Sequence, residues 1–144
     1  MKSVIRVIIS GGRTYDNYEY FCEKMDEILK PYLEDDFDIE IITGYAEGVD
    51  RMGDKYAMTH GHTSHVIPAL WNKYGENAGH IRNMEMGNFA KRTTMNLLVA
   101  FWNGKSRGTK DMIDYAKKIM IPVKIVEVEY EKRVGNIPES EIVD

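Results

Sequence analysis

Short apolar runs alternate with longer amphipathic stretches along this chain of 144 residues. The runs predict five β-strands, over residues 4–10, 39–43, 64–67, 96–101 and 123–128. The stretches between them predict helices over residues 18–32, 49–60, 79–91 and 110–119. Such alternation favours a parallel sheet with helices on both faces. We therefore expect one three-layer, Rossmann-like α/β domain over residues 1–130, with a mostly parallel five-stranded sheet, and an acidic, loosely ordered tail over residues 131–144.

The formal net charge of −4 is unevenly distributed along the chain. Residues 127–144 carry the whole of it, and the remainder of the chain is neutral. The sequence has no broad basic stripe for duplex nucleic acid, so a small anion is a better candidate partner than a polymer. Cys22 is the single cysteine, which excludes an internal disulfide and fits a cytoplasmic location. No apolar stretch reaches the ~18–20 residues of a membrane span, so we expect no membrane partner.

Most of the glycines follow the predicted strands. In an open parallel sheet, ligands bind beyond the carboxyl ends of the strands. The segments that follow the first four strands contain GGRTYD, TGYAEGVDR, PALWNKYGENAGHIRN and WNGKSRGTKD. A loop at the opposite end, KPYLEDDFD, is acidic and lacks glycine. We therefore expect a single anion-binding crevice at the carboxyl edge of the sheet, where Arg13, Arg82 and Thr109 meet.

The segment NGKSRGT combines several features that phosphate groups favour. Gly104 and Gly108 allow backbone amides to point inward, and Ser106 and Thr109 add hydroxyl donors. A predicted helix begins directly afterwards, and a helix N-terminus attracts phosphate oxygens. Arg107 adds a mobile cation. The other reading is a tight turn in which Thr109 caps the helix and the basic side chains are solvated.

Four further side chains are candidates for ligand binding, and each has a structural alternative. Arg82 would clamp a phosphate with two hydrogen bonds, or pair with a glutamate on the surface. Asp50 would accept hydrogen bonds from ribose hydroxyls, or stabilise the start of its helix. Trp71 would stack on a base, or pack in the core. Arg13 would meet a phosphate, or form a salt bridge with Asp16 or Asp50.

Glycines and polar residues from all four segments complete the predicted site. The candidate ligand-binding residues are Gly11, Gly12, Arg13, Gly44, Gly48, Asp50, Trp71, Gly79, Arg82, Asn83, Gly104, Ser106, Arg107, Gly108 and Thr109. His60, His62 and His65 are close in sequence but lack the cysteines or paired carboxylates of a metal centre. We therefore expect neither a metal nor a cofactor.

In this order, the motifs resemble the YspA-like branch of the SLOG superfamily of Rossmann-like domains. The resemblance extends over residues 4–128 and depends on the combination of GGRTYD, TGYAEGVDR, WNKYGENAGHIRNMEM and FWNGKSRGTKDMI. It implies a pocket for a nucleotide-derived ligand, such as NAD, ADP-ribose or an AMP-like molecule, and a homodimer or higher homo-oligomer. Glu47 is a departure, because a basic residue is common at that position and a carboxylate would repel a phosphate there.

The same superfamily contains the Lonely-guy phosphoribohydrolases, which cleave the bond between a base and ribose 5′-phosphate. This similarity implies catalytic roles for Arg82 and Asp111 if the chain is an enzyme. The hydrolase motif ends in a glutamate where this chain has Met112, and Asp111 stands one position earlier. One position turns a helical side chain by roughly 100°, so Asp111 is not a simple substitute for the glutamate.

We therefore expect the protein to bind a nucleotide or nucleotide-derived molecule, as a sensor or a sequestering module. Hydrolysis of an N-glycosidic or phosphoribosyl bond is the alternative. Binding of single-stranded nucleic acid is a third hypothesis, against which the neutral core and the acidic tail argue.

Overall fold

A computed structural model of the chain describes residues 2–131. The predicted tail over residues 131–144 lies outside this range except for its first residue. The strands and helices alternate in the order β1 (Val4–Gly11), α1 (Tyr18–Glu34), β2 (Asp38–Thr43), α2 (Val49–His60), β3 (Thr63–Val66), α3 (Trp71–Tyr74), α4 (Ala78–Ala90), β4 (Met95–Trp102), α5 (Arg107–Lys118) and β5 (Val123–Glu127).

The five strands form a single sheet in the order β3-β2-β1-β4-β5, and every pair of neighbours is parallel. In the centre of the sheet, Ile8 is aligned with Ile42 on one side and with Leu98 on the other. The chain runs outward from β1 to β3 and then returns to place β4 on the opposite side of β1. The order therefore reverses between β1 and β4, and a reversal of this kind opens a crevice at the carboxyl ends of the strands.

Alternate residues of the central strands enter two separate hydrophobic clusters, one on each face of the sheet. Ile5, Val7 and Ile9 of β1 belong to the cluster that contains buried residues of α1 and α2. Ile8 belongs to the cluster on the other face, with buried residues of α4 and α5. Because successive side chains of a strand point to opposite faces, β1 contributes to both clusters. The fold is thus a single Rossmann-like α/β domain with helices on both faces, as predicted.

The structure adds detail to the predicted elements near the carboxyl edge of the sheet. The connection after β3 contains the short helix α3 and a 3-10 turn over Gly75–Asn77, neither of which was predicted. Helix α5 begins at Arg107, three residues before the predicted start. It begins there because the Asn103 side chain accepts hydrogen bonds from the backbone N–H groups of Lys105 and Ser106 and so turns the chain directly into the helix. Within residues 2–131, none of the helices has the length and apolar character needed to cross a membrane.

Candidate functional site

An open cleft with a volume of about 220 Å³ lies where β1, β2 and β3 end. Four predicted residues line it: Arg13 from the loop after β1, Gly44 directly after β2, Trp71 at the start of α3, and Arg82 from α4. Their convergence follows from the parallel order of the strands, because the loops after neighbouring strands meet at one edge of the sheet. We call this region the arginine cleft.

Arg82 combines a position in the cleft with extensive burial. The residue is only 6% exposed, its Nη1 donates a hydrogen bond of 2.8 Å to the carbonyl oxygen of Gly44, and its Nε donates one of 3.1 Å to the Asn83 side chain. A Cβ atom added to Gly44 would lie 2.2 Å from Nη1. Glycine at position 44 therefore leaves room for the guanidinium of Arg82. The predicted surface pairing of Arg82 with a glutamate is wrong, because the side chain is buried.

Asp50 lies buried at the start of α2, behind the lining of the cleft. Its Oδ2 accepts a hydrogen bond of 3.3 Å from the backbone N–H of Ala46, which fixes the loop after β2. Burial raises the pKa of the Asp50 carboxyl, although the charges of Arg82 and Arg13 favour its ionised form. Since Asp50 is only 5% exposed, its structural role in the loop is better supported than direct contact with a ribose.

The electrostatic character of the arginine cleft is positive. Arg13, Arg51 and Arg82 all line it, and Glu47 brings one carboxylate into the same lining. The buried Asp50 adds a second carboxylate nearby, so the group retains one net positive charge when every side chain is ionised. Such a cleft attracts an anion, and a planar guanidinium is well suited to the oxygens of a phosphate or carboxylate.

A second region, at the strand-order reversal, is occupied by the protein itself. The segment after β5 crosses the carboxyl ends of β4 and β1, where Val128 donates a backbone hydrogen bond to Trp102 and Thr14 donates one to the carbonyl oxygen of Glu131. The ring of Tyr130 lies directly over Gly12, since a Cβ atom added there would lie 2.1 Å from the ring. We call this region the switch-point crevice.

Hydrogen bonds fix Tyr130 in the switch-point crevice. Its hydroxyl lies 2.6 Å from Oγ of Ser106 and accepts a hydrogen bond of 3.3 Å from the backbone N–H of Asn103. Its carbonyl oxygen accepts a further bond of 3.2 Å from the Asn103 side chain. Edge-to-face packing on Tyr15, with ring centroids 6.4 Å apart, completes its environment. The residues Gly12 and Ser106, predicted to approach a ligand, thus contact Tyr130.

A chain of hydrogen bonds connects the arginine cleft with the start of α5. Asn83 receives the bond from Arg82 and donates from its Nδ2 to the carbonyl oxygen of Gly108 at 3.3 Å and to Asp111 at 2.9 Å. Asp111 also binds Nδ1 of His80, with distances of 2.9 and 3.0 Å to its two oxygens. The two residues implied to be catalytic, Arg82 and Asp111, are therefore joined through Asn83.

The remaining predicted residues lie at the carboxyl edge of the sheet without lining the arginine cleft. Gly11 packs tightly against Phe101 and Val49, and Gly48 packs against the backbone of Gly12 and Arg13. Gly79 and Thr109 are buried at the starts of α4 and α5. Gly104 occupies a turn with φ of 81°, and Arg107 is exposed at the first position of α5. Arg13 and Arg82 both line the arginine cleft, as expected, whereas Thr109 is buried in the first turn of α5 and does not line it.

Sequence reasoning did not assign several residues that the structure places in the two regions. The additional lining residues of the arginine cleft are Tyr45, Ala46, Glu47, Arg51, Pro68 and Ala69. All six belong to the segments TGYAEGVDR and PALWN, so their position in those loops was the available signal. For Tyr130 the sequence held no such signal, because its contacts with Gly12 join residues far apart in the chain.

The chain was compared with protein-family models and with curated proteins. No curated protein matches it. The model of the YspA, cpYpsA-related SLOG family matches residues 5–74, which include the first three strands and the residues Arg13, Gly44 and Trp71 of the arginine cleft. Similarity to a SLOG family favours binding or processing of a nucleotide-related ligand without identifying it. The match over residues 5–74 and the all-parallel sheet agree, and the chain is similar to the YspA, cpYpsA-related SLOG family.

Proposed function

We propose that the protein binds a nucleotide-derived ligand, such as an AMP-like molecule, ADP-ribose or NAD, in the arginine cleft. The phosphate of the ligand contacts the guanidinium groups of Arg13, Arg51 and Arg82, and its base lies towards Trp71. The cleft opens at the ends of three neighbouring strands, which is where open parallel sheets bind ligands. The family whose model matches residues 5–74 favours a ligand of this class.

The preorganisation of Arg82 is the single observation that carries this proposal. A buried guanidinium costs free energy unless its donors are paired, and here the Gly44 carbonyl oxygen and the Asn83 side chain accept two of its hydrogen bonds. The Arg82 side chain lines the cleft and is already held in one conformation, so it does not lose further conformational freedom when an anion binds. Because water is partly excluded there, its interaction with a phosphate is stronger than that of a solvated arginine.

A thermal-shift titration with AMP, ADP-ribose and NAD tests the proposal. A ligand at about 100 times its Kd stabilises the folded state by about 2.7 kcal/mol, which raises the melting temperature measurably. Adenosine is the matched control, because it retains the base and ribose of AMP but lacks the phosphate. We expect AMP to raise the melting temperature much more than adenosine does. Equal melting temperatures with every compound and with buffer alone would contradict the proposal.

Hydrolysis of an N-glycosidic bond is the second candidate function. The hydrogen-bonded chain Arg82–Asn83–Asp111–His80 favours it, because this chain joins a cation to a carboxylate beside the cleft. In such a reaction water attacks C1′ of the ribose, the C1′–N bond breaks, and the base leaves with a proton. A carboxylate that stabilises the cationic ribose or orients the water contributes to this step.

Release of adenine from AMP, measured by chromatography, tests the hydrolase hypothesis. We expect Asp111→Asn to reduce the release at least about 100-fold, in line with the contribution of general acid–base catalysis. Asp114→Asn is the matched control, since Asp114 lies on the same helix, is exposed, and pairs with Lys110. Binding of AMP without any adenine release would reject hydrolysis of AMP and leave the binding function intact.

A further inference from the structure

Tyr45 has an unusual backbone conformation for its residue type. Its φ is 59°, in the left-handed region that a bulky side chain rarely adopts. Among residues 2–131, two other residues that are not glycine share this region, Asp36 and Met120. Both of them follow directly after the C-cap of a helix, Asp35 for α1 and Ile119 for α5, where a left-handed residue is common. Tyr45 instead follows β2 through Gly44, so no helix end accounts for its conformation.

The side chain of Tyr45 lies in the arginine cleft. The residue lines the cleft together with Trp71, and it is 51% exposed although it is large and aromatic. The Arg51 guanidinium lies over its ring, 5.1 Å from the centroid, which stabilises the ring at that position. An exposed aromatic ring in a polar cleft contributes little to the packing of the fold, so packing does not account for the residue either.

We infer that Tyr45 selects for the base of the bound nucleotide by stacking on it. This inference depends on the proposed binding of a nucleotide in the arginine cleft. Every nucleobase offers a π-face, and stacking on an aromatic side chain favours a ligand with a base over the corresponding sugar phosphate. Backbone strain retained at a ligand site is consistent with such a role, because a glycine at position 45 would relieve the strain and remove the ring. The ligand class is therefore a nucleotide with an intact base, and not a phosphorylated sugar alone.

Isothermal titration with AMP and with ribose 5-phosphate tests the inference, because the two probes share the sugar and phosphate and differ in the base. We expect the wild-type protein to bind AMP roughly tenfold more tightly than ribose 5-phosphate. This ratio corresponds to the contribution of one stacked base to the affinity. Tyr45→Phe should retain this ratio. Tyr45→Gly should bring the ratio close to one and leave the Kd of ribose 5-phosphate nearly unchanged.

The melting temperature without ligand separates this role from a structural one. Tyr45→Gly should not lower the melting temperature, because the change relieves the left-handed conformation. Met120→Gly is the matched control: it offers the same relief at an 82% exposed residue after α5, and it should leave the preference for AMP unchanged.

The outcomes distinguish the inference from the proposed function. Equal affinities of the wild-type protein for the two probes would overturn the inference, as would an unchanged ratio in Tyr45→Gly. Failure of both probes to bind the wild-type protein would contradict the binding of AMP-like ligands itself. Binding of ribose 5-phosphate with no gain for AMP would support the phosphate site and reject the role of Tyr45.

Discussion

The arginine cleft and the switch-point crevice are neighbours at the same edge of the sheet, yet they differ in what occupies them. Both begin at the loop after β1, which supplies Arg13 to the cleft and Gly12 to the crevice. The crevice at the strand-order reversal is the usual ligand site of such a sheet, but here the ring of Tyr130 covers Gly12. The cleft between β1, β2 and β3 is open and lined by arginines. Under the proposed function, the charge of the lining locates the ligand site better than topology alone.

The glycines show the same contrast at the level of single atoms. Gly12 and Gly44 both permit a close approach, yet the approaching group is a tyrosine ring in one case and a guanidinium in the other. A glycine beside Tyr130 contributes to stability, whereas a glycine beside Arg82 positions a group that faces the cleft. These assignments give the following predictions, in order of decreasing effect.

Of the matched substitutions Gly44→Ala and Gly12→Ala, the first should weaken AMP binding and the second should lower stability. In Gly44→Ala the new Cβ displaces the guanidinium of Arg82, and we expect roughly tenfold or greater weakening, comparable to the loss of a hydrogen bond to a charged group. In Gly12→Ala the new Cβ displaces the ring of Tyr130, which destabilises the fold by about 1–3 kcal/mol. Calorimetric titration and urea unfolding measure the two effects. Weakened AMP binding in Gly12→Ala but not in Gly44→Ala would indicate that the ligand binds in the switch-point crevice and not in the arginine cleft.

Removal of the Tyr130 hydroxyl should lower stability and leave AMP binding unchanged. Tyr130→Phe loses the hydrogen bonds with Ser106 and with the backbone of Asn103, at a cost of about 1 kcal/mol in the free energy of unfolding. Tyr20→Phe is the control, because the Tyr20 hydroxyl has no hydrogen-bond partner among the described residues. Urea unfolding of both variants measures the difference. A change in AMP affinity in Tyr130→Phe would connect the crevice with binding and weaken the contrast.

The substitution Arg51→Gln should weaken AMP binding by only about threefold, because the side chain is exposed and solvent screens its interaction with a phosphate. Arg92→Gln is the matched control: Arg92 is an exposed arginine that follows α4 and lies near the ring of Phe89. The difference between the two variants should shrink as the salt concentration rises. Equal affinities of the two variants at low salt would remove Arg51 from the site.

Replacing Asp50 by asparagine should strengthen AMP binding slightly, by about twofold, because it removes a negative charge near Arg82 and Arg13. The same variant tests the raised pKa of the Asp50 carboxyl. A carboxyl whose pKa is higher in the folded state than in the unfolded state stabilises the fold when protonated, and this stabilisation is lost as the pH rises from its unfolded pKa through its folded pKa. The free energy of unfolding of the wild-type protein therefore contains a component that falls as the pH rises through the acidic range. Asp50→Asn should lack this component when unfolding is measured over the same range. Parallel stability profiles of the two proteins would contradict the shift.

The sequence predicted the sheet and its helices well because these elements depend on local periodicity. The apolar runs of β1 and β4 and the core-facing residues of α1 are recognisable without their partners. The convergence of Arg13 and Arg82 was predictable in outline, because both follow strands that end at the same edge.

The sequence could not show which of the special residues would contact one another. Nothing local distinguishes Gly12, which accommodates a ring from the end of the described chain, from a glycine that accommodates a ligand. The left-handed conformation of Tyr45 and the pairing of His80 with Asp111 likewise depend on tertiary positions. Long-range contacts of this kind override what a short motif indicates on its own.

The two tryptophans of the chain offer the most direct test, because they lie in different regions. Trp71 lines the arginine cleft. Trp102 lies beside the switch-point crevice, where its indole N–H donates a 3.0 Å hydrogen bond to the carbonyl oxygen of Ser106. Their indole signals in a ¹H–¹⁵N correlation spectrum report separately on the two regions during a titration with AMP. We predict that the signal of Trp71 moves progressively and saturates while that of Trp102 remains in place. Movement of the Trp102 signal with an unchanged Trp71 signal would contradict the central claim that the ligand enters the arginine cleft.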